Sequence, residues 1–368
     1  MKTVLVVGMT ENPGGIESVI MTIVRAIDKN KFKFVFLTNV REMAYEDEVT
    51  AMGMDVIHIY SRSKHFFKFY RQLNAFFRVN GSRFDIIWLN VCSLANISYL
   101  SQAKKAGINK RIIHCHNSQN GEGLVRGMLH QINRFRIKYL ATDYWSCSND
   151  ASLWFYGKKY KSLKNYYFVP NSIKMKEFKF DLNTRNRVRS FLKLNNSDCL
   201  IGNVARFSPQ KNHDQLIEIF KHLHIINNNY KLLLIGEGEL MNDIKEKVLS
   251  YNLKDSVIFL GKVRNVSDYY NAMDLFLFPS LFEGFAIAPL EAQANNVPCV
   301  LSTGNPKEEF INDNVLEIDI KKTSSVLAKV INEWFESNNN NRFNFPLIFE
   351  SMYSIDKQIG FIESILES

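Results

Sequence analysis

Asp274-Leu275-Phe276-Leu277-Phe278-Pro279-Ser280, closely followed by Glu283-Gly284-Phe285-Ala286-Ile287-Ala288-Pro289-Leu290-Glu291, is the stretch from which the fold can be read. The apolar residues predict a short buried strand, Pro279-Ser280 ends it, and Pro289 to Ala294 is helix-patterned. A strand, a glycine-containing turn and a helix start make an anion site, because helix-start amides point outward and the dipole favours negative charge. Seven residues separate Glu283 from Glu291. Carboxylates would repel a phosphate, so these two suit hydroxyl donors. Phosphate on amides with hydroxyls on carboxylates describes a nucleotide sugar. Taken alone, two glutamates at this spacing fit solvated surface charge equally well.

Two further stretches bear on the choice. Ala205-Arg206-Phe207-Ser208-Pro209-Gln210-Lys211-Asn212 follows the apolar run Cys199 to Val204 and precedes a helical pattern from His213 to Leu223. Arg206 and Lys211 therefore belong to a loop at the carboxyl end of a strand, the edge where open α/β sheets bind ligands. A guanidinium fork and an ammonium suit a diphosphate. Near the start, Asn12-Pro13-Gly14-Gly15-Ile16-Glu17 follows the run Thr3 to Gly8 and opens a helix from about Ile16 to Ile27. The paired glycines allow backbone to approach a ligand closely. The spacing is neither the G-x-G-x-x-G dinucleotide fingerprint nor a Walker loop.

Together these residues resemble the retaining family-4 glycosyltransferases of the GT-B fold. The resemblance runs from Gly14-Gly15-Ile16-Glu17 through His116-Asn117-Ser118, Val169-Pro170-Asn171-Ser172, Arg206 with Lys211, Gly236-Glu237-Gly238 and Glu283 to Glu291. The runs His114-Cys115-His116-Asn117-Ser118 and Gly202 to His213 are similar to the branch that builds capsular and exopolysaccharide repeat units. The resemblance implies an α/β protein of two Rossmann-like doubly wound domains facing a cleft, with a last helix returning to the first domain. It implies that His116, Glu283, Arg206 and Lys211 are catalytic. Arg206 and Lys211 would offset charge growing on the leaving phosphate, with help from amides around Gly284, Phe285 and Ala286. Glu291 would hold ribose hydroxyls and Glu283 sugar hydroxyls. Gly14 and Gly15 would let the first domain approach the donor, and Gly236, Val263 and Leu290 complete the donor set. The carrier would be UDP, and the acceptor a polyprenyl-diphosphate-linked saccharide.

Composition sets the frame. With 368 residues, of which 46% are hydrophobic, two cores are expected. Strand-like runs alternate with helical patterns, at 3–8, 33–38, 56–60, 85–89, 111–115, 143–147 and 166–169, then at 199–205, 231–235, 257–260, 274–278 and 298–302. This predicts an acceptor-binding domain over 1–170, a nucleotide-sugar domain over 171–345 and a closing helical segment over 346–368. No run is long enough to span a bilayer, and no signal-peptide layout or C-x-x-C pair is present. The five cysteines read as reduced, which points to the cytoplasm.

Charge is uneven. Residues 1–170 carry 24 Lys+Arg against 12 Asp+Glu, while the remainder is slightly acidic. The basic half is expected to face an anionic partner, the inner membrane surface or the lipid-linked acceptor, rather than nucleic acid, whose motifs are absent. Arg62 to Arg78 holds five Lys/Arg among many Phe, the composition of an interfacial helix, with Phe66, Tyr70, Leu73 and Phe77 as its expected core stripe. Leu124 to Tyr139, with Arg126, Arg134, Arg136 and Lys138, is a second and weaker candidate. No Asp-x-Asp occurs and no ligand cluster has zinc spacing, so neither a metal nor another cofactor is expected. Ordinary cover helices and a solvated basic loop are the structural alternatives. The functional rivals are a nucleotide-sugar epimerase of the same fold, a dinucleotide oxidoreductase and a non-catalytic sugar-nucleotide sensor.

Overall fold

The computed structural model describes residues 1–119, 123–338, 342 and 346–368. The chain divides into two compact units, Met1–Ser172 with Ile355–Ser368, and Ile173–Ser354.

The first unit is a seven-stranded sheet of β1 (Lys2–Val7), β2 (Phe32–Thr38), β3 (Asp55–His58), β4 (Ile86–Val91), β5 (Lys110–Cys115), β6 (Asp143–Ser146) and β7 (Tyr166–Phe168). Every pairing is parallel, in the order β3-β2-β1-β4-β5-β6-β7. Its helices are α1 (Gly15–Ala26), α2 (Glu46–Ala51), α3 (Phe66–Asn80), α4 (Ser98–Lys105), α5 (Leu124–Arg136) and α6 (Asn149–Tyr156). Parallel strands need crossovers that cover both faces, so the central strands are nearly all apolar, as in Val4-Leu5-Val6-Val7, all buried.

The second unit repeats the plan with β8 (Cys199–Val204), β9 (Tyr230–Ile235), β10 (Val257–Gly261), β11 (Leu275–Phe278), β12 (Cys299–Ser302) and β13 (Val315–Ile318). All are parallel, in the order β10-β9-β8-β11-β12-β13. Its helices are α7 (Leu182–Phe191), α8 (His213–Ile226), α9 (Met241–Ser250), α10 (Val266–Ala272), α11 (Ile287–Ala294) and α12 (Ser324–Ser337). β13 is absent from the sequence reading: Val-Leu-Glu-Ile is a short, half-exposed edge strand with too little apolar contrast to register.

A last helix, α13 (Ile355–Glu367), belongs to the first unit. Gln358 Nε2 donates to the Pro170 carbonyl at 2.8 Å and its Oε1 accepts from Ser172 Oγ at 2.8 Å. Glu363 accepts from the Asp28 amide, and Lys2 Nζ donates to the Leu366 carbonyl at 3.0 Å.

Helix α3 corrects the expected stripe. Its buried residues are Phe69, Leu73, Phe76 and Phe77, whereas Phe66 and Phe67 are exposed and Tyr70 is half-buried. Phe69 meets Tyr99 of α4 edge-on at 5.9 Å, which turns the helix away from the phase in which Phe66 and Tyr70 would be core. Three of the six α3 aromatics, Phe69, Phe76 and Phe77, are thus ordinary core.

Helix α5 is the reverse. Its buried side chains are the polar His130 and Asn133. Leu124, Val125, Met128, Ile132 and Phe135 are all exposed, as is Tyr139 just beyond the helix. The polar face is anchored: His130 Nδ1 accepts from the Leu94 amide at 3.1 Å, its Nε2 donates to the Trp154 carbonyl at 3.2 Å, and Asn133 donates to the Leu94 carbonyl at 2.7 Å. His130 also stacks on Trp154. Satisfied hydrogen bonds therefore hold the helix with its apolar stripe facing outward.

Candidate active site

Each sheet has one point where strand order reverses, between β1 and β4 in the first unit and between β8 and β11 in the second. Ligands of doubly wound folds bind beyond the carboxyl ends of the strands there. In the second unit the β8–β11 ladder ends after Phe276 pairs with Gly202, and beyond it Asn203 Nδ2 reaches across to the Leu277 carbonyl at 2.8 Å. The loops that leave these two strands carry the predicted residues.

Lys211, in the loop after β8, places Nζ 2.6 Å from Oε1 of Glu283, in the loop after β11. The pair is largely buried, with side chains 19% and 6% exposed, and the ammonium lies 5.0 Å from the centre of the Phe278 ring. Gln210 Nε2 donates to Glu283 Oε2 at 3.2 Å and to the Phe282 carbonyl at 2.9 Å. The Glu283 amide donates to the Gly304 carbonyl. Arg206 is not part of this cluster. Its guanidinium is 68% exposed and pairs with Glu239 at 3.0 Å, so the two cations expected to act together have different carboxylate partners.

Glu291 is half-buried on α11 and accepts from Tyr270 Oη at 2.8 Å. Burial pushes its carboxyl up to about 7, against the smaller opposing effect of the Tyr270 hydrogen bond. Helix α11 begins at Ile287, two residues before the expected Pro289, and Leu290 is core. Gly284, Phe285 and Ala286 are buried, and Phe285 stacks on Tyr353. One expectation needs correction here. The Ala286 amide donates to Oε1 of Glu309, so it is already occupied rather than open to a phosphate. Glu309 is fully buried, its Oε2 has no partner among the described residues, and burial followed by the charge of Glu283 holds it well above the ordinary carboxylate range.

Gly236 lies beside this loop cluster. Its φ is +139°, and a Cβ there would sit 2.0 Å from the Ala205 carbonyl oxygen, so only glycine lets the loop after β9 lie against the loop after β8. Val263 is half-buried in the loop after β10. His213 does not cap α8; it stacks on Phe207 at 4.1 Å, and burial followed by the charge of Lys211 lowers its imidazole to about 4.

The remaining predicted residues are in the first unit. His116 follows β5, and its Nε2 donates to Asn90 Oδ1 at 2.9 Å. Burial, followed by its neighbour His114, holds it well below the ordinary histidine range. His114 is a core histidine, lowered to about 3 by burial and donating to the Val169 carbonyl. Gly14 caps α1, and Glu17 ties the loop by accepting from the Gly14 amide at 3.1 Å and from Thr10. Gly15 faces open space.

Sequence reasoning missed Gln210, Tyr270, Glu309 and Asn90. Gln210 was legible in principle, being inside the quoted basic loop. Tyr270 and Glu309 are 21 and 23 positions from the groups they hold, with no local pattern to mark them. Among the described residues, no group of three or more His, Cys, Asp or Glu side chains could hold a metal ion. No described helix is long and apolar enough to cross a membrane.

Comparison with known proteins agrees with this geometry. Residues 184–344 match the family described as glycosyl transferases group 1. EpsF of Bacillus subtilis (strain 168), provisionally named a glycosyltransferase, is 29% identical over 305 residues, covering 82% of this chain and 79% of the relative. The UDP-Gal:alpha-D-GlcNAc-diphosphoundecaprenol alpha-1,3-galactosyltransferase of Escherichia coli is 31% identical over 175 residues, 45% of each chain. The crystal structure of Anabaena Alr3699/HepE in complex with UDP and glucose superposes over 100% of both chains with a TM-score of 0.82 at 15% identity. With two all-parallel units of this topology and the matched region across the Lys211–Glu283 cluster, the chain is similar to the group 1 glycosyltransferases over residues 184–344 and has the GT-B fold.

Proposed function

We propose that the protein transfers a sugar, with retention at the anomeric carbon, from a UDP-sugar to a lipid-linked saccharide during assembly of a bacterial surface polysaccharide. The observation that carries the reading is the buried Lys211–Glu283 pair at the switch point of the second unit. The ammonium suits a diphosphate and the carboxylate suits sugar hydroxyls. As the bond from anomeric carbon to phosphate oxygen breaks, Lys211 and Arg206 offset the charge left on the diphosphate. The acceptor hydroxyl adds on the same face and its proton passes to the departing phosphate oxygen, so neither glutamate serves as nucleophile. The Escherichia coli relative, named for a UDP-sugar and a diphosphoundecaprenol acceptor, supports both substrate classes. An epimerase is not favoured, since the relatives are named as transferases. The test is a panel of sugar nucleotides screened for thermal stabilisation, then for transfer to a prenyl-diphosphate saccharide with and without EDTA. One UDP-sugar should raise Tm and be consumed in both buffers. Loss of turnover with EDTA, restored by a divalent cation, would overturn the metal-independent reading.

Glu291 supplies a second readout. A carboxyl raised to about 7 is partly protonated at neutral pH. If ribose hydroxyls donate to its carboxylate, UDP binding releases up to about half a proton at pH 7. Calorimetric binding enthalpy should then differ between buffers of different ionisation enthalpy, and Glu291→Gln should remove the difference. Without ligand the sign is fixed: the raised carboxyl contributes stability below about pH 4.5 that is lost as pH rises through about 7.

Peripheral attachment to the cytoplasmic membrane face completes the reading. Its support moves from α3 to α5, whose outward stripe is flanked by Arg126, Arg134 and Arg136, with Lys138 just after the helix. Buried aromatic area and about 1 kcal/mol per basic residue near anionic lipid act together. Wild type should co-sediment with anionic vesicles at low salt and be released as salt rises. Changing Met128, Ile132 and Phe135 to Ser should abolish binding, whereas changing Lys64, Lys68 and Arg71 to Gln should only weaken it. Equal binding by wild type and the serine variant would sink the assignment.

A further inference from the structure

The switch point of the first unit also has a cavity, of about 870 Å³, that the donor chemistry does not use. Its floor is the carboxyl ends of β1 and β4: Val7 and Gly8 on one side, and Leu89 to Ser93 on the other. There the Asn90 side chain spans the two strands, donating to the Val7 carbonyl at 3.4 Å while its Oδ1 accepts from His116. Among the described residues, the charged side chains of the lining are Arg62 and Arg126, and none is a carboxylate. Arg62 is half-buried, and one Nη lies 3.5 Å from the Ala95 carbonyl, a contact long enough to exchange for a better acceptor. Arg126 is exposed on α5 between Val125 and Leu129, which line the same cavity. Val125 also adjoins the outward apolar stripe that continues through Met128, Ile132 and Phe135.

A pocket with a hydrogen-bonded polar floor, two guanidinium groups, no carboxylate among its described lining residues and an apolar path leading away along α5 fits an amphiphile with an anionic head. We infer that this cavity seats the diphosphate of the acceptor, with Arg62 and Arg126 as its phosphate-binding side chains and the prenyl chain lying along the α5 stripe. The inference rests on the lipid-linked acceptor proposed above and names the site that receives it. Guanidinium groups offer forked donors to phosphate oxygens, which an uncharged glutamine cannot replace in charge. The end of the cavity at Asn90, whose Oδ1 accepts from His116 behind the lining, is left for the saccharide.

The test uses the full chain saturated with UDP, so that the donor site is occupied, and titrates farnesyl diphosphate below its micelle concentration. Wild type should bind it, with farnesol and inorganic pyrophosphate each at least about 10-fold weaker, because head and chain both contribute. Arg62→Gln and Arg126→Gln should each weaken farnesyl diphosphate about 10-fold or more while leaving UDP affinity unchanged. Lys211→Ala should do the opposite. Wild-type affinity in both arginine variants would overturn the assignment. So would farnesol binding as tightly as the diphosphate, or loss of farnesyl diphosphate binding in saturating UDP, which would place the probe in the donor site. Failure of every sugar nucleotide in the stabilisation panel, with arginine-dependent farnesyl diphosphate binding intact, would reject the donor reading alone.

Discussion

Lys211→Ala is expected to lower kcat by at least about 100-fold, because the ammonium is preorganised at the point where diphosphate charge develops. The same change leaves Glu283, only 6% exposed in its side chain, without its cation. Breaking a buried pair by removing one partner costs about 3–5 kcal/mol, so lost activity alone would not separate catalysis from folding. A pair of variants does. Lys211→Met combined with Glu283→Gln removes both charges and leaves a side-chain amide that can still bond Gln210. Its Tm should recover most of the loss while turnover stays depressed. Recovery of both would make the pair structural. Wild-type kcat in a folded Lys211→Ala protein would remove Lys211 from the chemistry.

Gly236→Ala should be the most damaging single methyl group in the second unit. The added Cβ meets the Ala205 carbonyl oxygen at 2.0 Å, and the backbone φ of +139° is strained for any other residue. Strain and overpacking each cost about 1–3 kcal/mol, which for a unit of this size corresponds to a Tm fall of roughly 5–20 °C. The displaced carbonyl belongs to the residue before Arg206, so UDP affinity should fall as well. Gly15→Ala is the control. A Cβ there meets nothing within 4 Å and stands in the first turn of α1, so Tm should be unchanged. An undisturbed Tm in Gly236→Ala would show that the loop after β9 has room to move.

The two switch points share a device. Asn90 in β4 and Asn203 in β8 each donate across the opening to a main-chain carbonyl of the strand on the other side, Val7 and Leu277. In each case a side-chain amide gives a main-chain carbonyl at the reversal point a hydrogen-bond donor.

What the sequence by itself determined was the alternation of strands and helices. Central parallel strands are buried on both faces, so they are written as uninterrupted apolar runs such as Leu232-Leu233-Leu234-Ile235, bounded by Gly or Pro, and can be located without any partner. The loop motifs were legible for a related reason: Gly, Pro and paired charges at strand ends follow local backbone geometry. Tertiary structure alone decided which charges meet. Arg206 and Lys211 are five positions apart, yet one reaches Glu239 and the other Glu283, because the loop after β8 turns between them. It decided that the Ala286 amide belongs to Glu309 and the Glu291 carboxylate to Tyr270, contacts made by elements distant in sequence. It also set the rotation of the two basic helices. Periodicity shows that an apolar stripe exists, but not which way it faces. In α3 the packing of Phe69 on Tyr99 turns Phe69, Phe76 and Phe77 inward and leaves Phe66 and Phe67 exposed. In α5 the hydrogen bonds of His130 and Asn133 to Leu94 and Trp154 bury the polar face instead, and leave the apolar one to the surroundings.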